Sequence, residues 1–359
     1  MTTNLFSSLS LNRGPAMENR FMLAPLTNQQ SNPDGTPSED DHRFLSMRAK
    51  GGFGATMTCG AHVQASGQGF ERQLAIFDDE QIPGLRKLAR AIKEEGSVAI
   101  VQLYHGGMRS LAGPEDQQPV CPSDNEEFDA RALTVEEVGQ LRDDFISAAV
   151  RAETAGFDGV ELHGAHGYII CQFLSEEINK RTDQYGGSYE NRVRLLNEII
   201  DGVRAACGDD FILGLRLSAE RFGTNLLEMK RLASECMVSG RIDFLDMSLW
   251  NAFGKPIDPD LQSKTLIEHF TEVERGDVPL GISGTLRSGA DCQNAISAGA
   301  DFVLVGRAAI AHHDFPTKVK EDPNFAEDAL PVSTSHLANE GVGEAFIEYL
   351  RTFNGIVAD

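Results

Sequence analysis

The feature that most constrains this sequence is an alternation. Eight short apolar runs, over residues 20–26, 55–63, 98–104, 159–163, 211–217, 244–249, 279–284 and 302–307, are separated almost throughout by stretches with helical spacing. The runs are continuous rather than period-two, which is the pattern of parallel strands covered on both faces. Helices are expected over 39–50, 83–95, from 134 towards Gly156, 189–206, 226–238, 261–274 and 290–298. The second of these carries Leu85, Leu88, Ala89 and Ile92 on one face. Eight such units ending near residue 307 predict an α/β fold, a (β/α)8 TIM barrel. Long excursions are expected after strand 3, where 106–132 is rich in Gly, Pro, Asp and Gln, and after strand 4. A doubly wound sheet fits less well, because Gly52-Phe53-Gly54 lacks the third glycine of a dinucleotide turn. No Pro/Ser-rich linker interrupts the pattern, so one domain is expected over 1–359.

In a barrel, chemistry gathers where the strands end. The polar residues at those ends are Thr27, Gln102, His163, His166, Tyr168, Arg216, Ser283 and Arg307. The fourth run ends Glu161-Leu162-His163 and breaks at Gly164 and Gly167, so two histidines and a tyrosine sit where strand gives way to loop. All three donate hydrogen bonds, and imidazole moves protons near neutral pH. The last two runs end Ser283-Gly284 and Gly306-Arg307. Glycine lets backbone N–H groups approach a phosphate and arginine grips it bidentately, at the place where barrels commonly hold phosphate. The alternative there is a tight turn with an exposed arginine. Gln102 and Arg216 each interrupt an apolar strand. A buried guanidinium needs a partner: a bound anion or dipolar ring, or else a salt bridge to Glu161 or Asp246.

Several chemistries are disfavoured. Zinc needs three or four ligands, and beside His163 and His166 the only other histidine at a strand end is His105. No metal site is expected. A Schiff-base aldolase needs a lysine at a strand end, and none of Lys50, Lys87, Lys93, Lys180, Lys230, Lys255, Lys264, Lys318 and Lys320 falls there. Cys59, Cys121, Cys171, Cys207, Cys236 and Cys292 form no Cys-x-x-Cys pattern. With 54 acidic against 32 basic residues the formal charge is −22, which disfavours nucleic acid and anionic membranes as partners. No apolar run approaches the ~20 residues of a membrane span, and residues 1–20 lack the basic and apolar regions of a signal peptide. A cytoplasmic location with free thiols is the expectation.

Taken in order, these motifs resemble the Old Yellow Enzyme family of FMN-dependent ene-reductases. The strongest segment is His163-Gly-Ala-His166-Gly-Tyr168, followed by Gln172-Phe173-Leu174-Ser175, Asn179-Lys180-Arg181-Thr182-Asp183-Gln184-Tyr185-Gly186-Gly187-Ser188 and Glu190-Asn191-Arg192. Ala24-Pro25-Leu26-Thr27, Val101-Gln102-Leu103, Gly214-Leu215-Arg216-Leu217-Ser218 and Leu304-Val305-Gly306-Arg307-Ala308 support it. The resemblance implies that Ala24, Pro25, Leu26, Thr27 and Gly60 contact the flavin ring, with Thr27 bonded to a flavin carbonyl. It implies that Gln102 meets the pyrimidine edge and that Arg216 stabilises the anionic reduced ring. Ser283, Gly284, Gly306 and Arg307 would hold the phosphate. His163 and His166 would bind a substrate carbonyl oxygen, and Tyr168 would donate the proton.

The sequence departs from the family pattern in places. A second histidine, His166, stands where many members have asparagine, and Tyr104-His105-Gly106-Gly107-Met108-Arg109 carries an extra residue. Gln29 stands where some relatives place a tyrosine. Larger relatives add an iron–sulfur cluster and a second nucleotide domain, for which this sequence has no cysteine cluster. The implied activity is ping-pong: NADH or NADPH reduces bound FMN, then an electron-poor alkene enters the same site. A barrel that merely stores or senses flavin is the competing reading, and Tyr168 argues against it because binding needs no proton donor. A homo-oligomer is left open, with the C-terminal Tyr349 and Arg351 either reaching a neighbouring subunit or ending a plain helix. The sequence assigns no role to Trp250.

Overall fold

The computed structural model describes residues 4–111, 118–327 and 330–358. Eight parallel strands close into a barrel: β1 (Phe21–Leu23), β2 (Ala55–His62), β3 (Val98–Tyr104), β4 (Gly159–Gly164), β5 (Ile212–Ser218), β6 (Phe244–Ser248), β7 (Leu280–Ser283) and β8 (Phe302–Val305). Each pairs with the next in sequence, and β8 closes on β1 through Phe21 opposite Val303 and Leu23 opposite Val305. The (β/α)8 barrel read from the alternation is therefore the observed fold. Both long excursions are present. The one after β3 carries a short strand pair, Val120–Cys121 with Arg131–Ala132, and residues 112–117 within it lie outside the described residues.

The continuous apolar runs reflect two cores. One lies between barrel and helices and takes one face of every strand, for instance Val101, Leu103, Leu162, Leu215 and Leu245. The other fills the lower barrel with Met22, Ala55, Met57, Ile100, Ile212, Phe244, Phe302 and Leu304. Leu9 and Met17, paired across a bridge, seal the bottom. Gly214 and Gly281 are glycine because rings occupy their side-chain space. A Cβ at Gly214 would lie 2.0 Å from Phe244 Cζ, and one at Gly281 2.3 Å from Phe302 Cζ. The two rings meet edge to face at 5.8 Å. Truncating either to alanine should cost about 3–5 kcal/mol. Above this layer the interior turns polar.

Helix starts follow local chemistry. Ser38 with Asp41, Thr134 with Glu137 and Ser288 with Asp291 form capping boxes ahead of helices Glu39–Lys50, Val135–Ala155 and Gly289–Ser297. Two expectations need correction. The helix expected over 189–206 is two helices, Tyr189–Arg192 and Arg194–Ala206, joined at Val193. The helix expected over 261–274 shrinks to Leu266–Thr271, because Thr265 and Glu268 cap it late and Pro259 opens a separate turn, Pro259–Leu261. The chain then returns over the barrel as Glu344–Arg351. Fully buried Arg48 pins this return: it stacks on Phe44 and donates to the carbonyls of Ala309 at 3.0 Å and Glu340 at 2.9 Å. Among the described residues no helix is long and apolar enough to cross a membrane.

Candidate active site

At the top of β4 the backbone turns sharply. His166 adopts φ +61° and Gly167 φ +72°, the left-handed region that side chains rarely enter. The His166 turn is held from both sides: its N–H donates to Ser218 Oγ at 3.0 Å, and its carbonyl accepts from Arg109 Nη1 at 2.7 Å. Gln29, Arg221, Phe222, Trp250 and Thr285 also have positive φ, and all lie in loops following strands at this end. Backbone strain of this kind collects at functional sites.

The turn brings His163, His166 and Tyr168 together. The His163 ring lies 5.0 Å from both His166 and Tyr168, centroid to centroid. His163 Nε2 and His166 Nδ1 are 3.3 Å apart, and His166 Nε2 is 2.8 Å from Ser248 Oγ. Burial, then mutual repulsion and the Arg216 and Arg109 charges, hold His163 well below the usual imidazole range. Burial, then the same two arginines, lower His166 to about 3. Both rings are therefore neutral at working pH and act as hydrogen-bonding dipoles. Tyr168 packs edge-on to Tyr104 at 4.4 Å, with the Arg109 guanidinium 5.1 Å from its ring.

Below the histidines lies a buried polar layer. Gln102 faces Glu161 across the β3–β4 register, and its Nε2 donates to Glu161 Oε2 at 2.6 Å. Arg216 faces His163 on β4 and Asp246 on β6. Its Nε lies 2.9 Å from Asp246 Oδ2 without pointing at it, an ion pair rather than an aligned hydrogen bond. Arg216 Nη2 donates to Ser283 Oγ at 3.2 Å. Of the partners considered for Arg216, the salt bridge to Asp246 is thus present, while the guanidinium still lines an open cavity.

That cavity, about 320 Å³, gathers most of the residues expected to hold a flavin: Ala24, Pro25, Leu26, Arg216, Ser283, Gly284, Gly306 and Arg307. A second cavity of about 860 Å³ shares Pro25, Leu26, Trp250, Arg287 and Arg307 with it and adds Thr27, His166 and Tyr349. Gly60 and Gln102 face each other across β2 and β3 and line neither of these two cavities; Gln102 joins the polar layer through Glu161. Tyr349 lines the cavity of its own chain, with its hydroxyl against Thr27. The structure also adds residues that strand-end reasoning missed. Arg287 lines both cavities, and its signal was an arginine three residues past Gly284 in the same loop. Trp250, 66% exposed, stands at the mouth with Arg221 5.1 Å from its ring. Ser248 ends β6 against His166, where a small hydroxyl in an apolar run carried no signal.

Residues 4–325 match the NADH:flavin oxidoreductase / NADH oxidase family. The chain belongs to that family. It is 38% identical over 327 residues to a probable NADH-dependent flavin oxidoreductase, YqiG, of Bacillus subtilis, covering 88% of each chain. It is 33% identical to an NADH oxidase of Thermoanaerobacter brockii, and it spans about half (51%) of that protein's length. Among solved structures, an old yellow enzyme homologue from Zymomonas mobilis superposes with a TM-score of 0.81 at 27% identity, over 96% of this chain and 99% of that one. Morphinone reductase in complex with tetrahydroNAD gives 0.80 at 28%, over 99% and 98%.

FMN is the flavin of this NAD(P)H-dependent oxidoreductase family, and the residues present fit it. Gly284 has φ +137°, and its Cβ would meet Ala252 N at 3.0 Å, so a residue larger than glycine is disfavoured where it borders the cavity. A Cβ at Gly306 would stand 3.4 Å from Leu26 Cδ2, against the same cavity wall. Arg287 and Arg307 supply positive charge there, and Arg216 and Gln102 supply donors at the barrel centre.

Proposed function

We propose that the chain, acting as one FMN-binding barrel, is an ene-reductase for the activated C=C of α,β-unsaturated carbonyl or nitro compounds. The observation that carries this is the convergence of His163 Nε2 and His166 Nδ1, 3.3 Å apart, beside Tyr168. Ser283, Gly284, Gly306 and Arg307 would hold the FMN phosphate. Ala24, Pro25, Leu26, Thr27 and Gly60 would bound the ring, and Gln102 and Arg216 would meet its pyrimidine edge. Bound FMN supplies hydride taken from NADH or NADPH and passed to the β-carbon of the alkene.

The protein's own residues do the rest. The two neutral imidazoles hydrogen-bond the carbonyl or nitro oxygen and stabilise the charge that develops there. Tyr168 gives its hydroxyl proton to the α-carbon. Trp250 and Tyr349 wall the mouth, so substrate entry passes between them. Purified protein reconstituted with FMN should consume NADH or NADPH anaerobically when given cyclohexenone, a nitroalkene or a maleimide, and should yield the saturated product. Consumption only with oxygen, with every alkene recovered unchanged, would overturn the reading.

A further inference from the structure

The polar layer beneath the mouth holds an unequal set of charges. Glu161 and Asp246 are wholly buried, and Arg216 is nearly so. Two carboxyls thus share one guanidinium. With both ionised, a net negative charge would sit in the barrel interior, which is costly. One carboxyl must keep a proton, and the contacts say which. Asp246 has Arg216 at 2.9 Å and the Ser283 hydroxyl at 3.4 Å. Glu161 has only the Gln102 amide, and its Oε1 has no partner among the described residues. We propose that Glu161 is a positioning residue for the flavin: it carries the odd proton of the Glu161–Arg216–Asp246 group and fixes the Gln102 amide that meets the pyrimidine edge. The proposal rests on the reading that Gln102 and Arg216 face bound FMN.

Strand geometry places Glu161 two residues before His163 on β4, on the same inward face and about 6.6 Å lower. One Gln102 N–H is committed to Glu161. That leaves the amide oxygen and the second N–H to face upward, an orientation that a lone glutamine would not hold. The groups facing Glu161 are Gln102 from β3, Arg216 from β5, Asp246 from β6 and His163 on its own strand. Burial first, then repulsion from Asp246, push the Glu161 carboxyl far above the ordinary range, against the pull of Arg216 and Gln102. It therefore stays protonated at neutral pH and releases its proton to solvent only in the alkaline range. Once ionised, it sets an uncompensated negative charge beneath a cofactor that gains electrons on reduction, so the midpoint potential must fall.

The test is the midpoint potential of the FMN-loaded protein, by dye equilibration, from weakly acidic to alkaline pH, for wild type and Glu161→Gln. The glutamine keeps shape and a polar contact but cannot ionise. The two potentials should coincide at the acidic end. They should part at the alkaline end, where the variant's equilibrium for reduction is roughly tenfold more favourable, about 30 mV for a two-electron couple. Potentials that track each other at every pH, or differ by one constant offset, would overturn the proposal. Should the variant not fold, the wild-type profile decides: an alkaline bend in its slope supports the proposal, and a straight line overturns it. A wild-type protein that binds no FMN would instead strike the cofactor reading, and this proposal with it.

Discussion

His163 Nε2 and His166 Nδ1 face each other across 3.3 Å. The Ala165 N–H donates to His163 Nδ1 at 3.3 Å, which leaves the ring proton on Nε2. The Ser248 hydroxyl, 2.8 Å from His166 Nε2, can donate there and put the second ring's proton on Nδ1. Two N–H groups then converge on one spot, which suits an oxygen acceptor. A phenolate should place its oxygen there and give a long-wavelength absorption band with oxidised flavin. Replacing both histidines by alanine should abolish the band and leave flavin content intact. A full band from the double variant would put the oxygen site elsewhere.

Ser248 tests the same tautomer argument from outside the pair. Ser248→Ala removes the donor to His166 and frees its proton to sit on either nitrogen. Phenol affinity should fall roughly 3–10-fold, the worth of one neutral hydrogen bond. Spectroscopic titration measures it, and an unchanged dissociation constant would mean that Ser248 does not set the tautomer.

Arg307 lines both cavities at the glycine-rich end. Arg307→Ala should weaken FMN binding roughly 10–100-fold, as expected for a lost charge-assisted contact. Fluorescence titration of the apoprotein reads this directly. Undiminished retention of FMN through dialysis would remove Arg307 from the phosphate site.

The barrel frame was legible because parallel strands buried on both faces leave continuous apolar runs, and the runs at Val98 and Ile212 fall where β3 and β5 lie. His163, His166 and Tyr168 were legible because polar residues at the end of such a run have little other reason to be there. The Arg216–Asp246 pair was only one of the alternatives in sequence, since strand register decides it and register is a long-range property. Arg48 was invisible, as its carbonyl partners Ala309 and Glu340 lie 261 and 292 residues further along the chain. The place of Tyr349 depended on the C-terminal return, which no local pattern encodes.

Buried neutral histidines make the protein acid-sensitive. Burial lowers His62 to about 4, and burial with neighbouring charges lowers His105 and His166 to about 3. The unfolded chain takes up protons at each ring as pH falls below the ordinary 6.5, while the folded chain does not until its lowered values are reached. The contribution of these rings to stability is therefore full above about 6.5 and is lost between there and about 3. Urea melts across that range should show falling midpoints. A midpoint that stays flat to pH 4 would mean these rings are charged in the fold.

Tyr168 gives the most direct test of the central claim. Reduction of FMN by NADH or NADPH needs no proton from this residue, whereas alkene reduction needs one at the α-carbon. A tyrosine hydroxyl is a weak acid that suits donation to a developing enolate. Tyr168→Phe keeps the ring against His163 and Tyr104 and loses only the hydroxyl. Stopped-flow traces of the two half-reactions should show flavin reduction nearly unchanged and reoxidation by a simple enone slowed roughly 10²–10⁴-fold. Equal slowing of both, or of neither, would contradict Tyr168 as the proton donor of an ene-reductase.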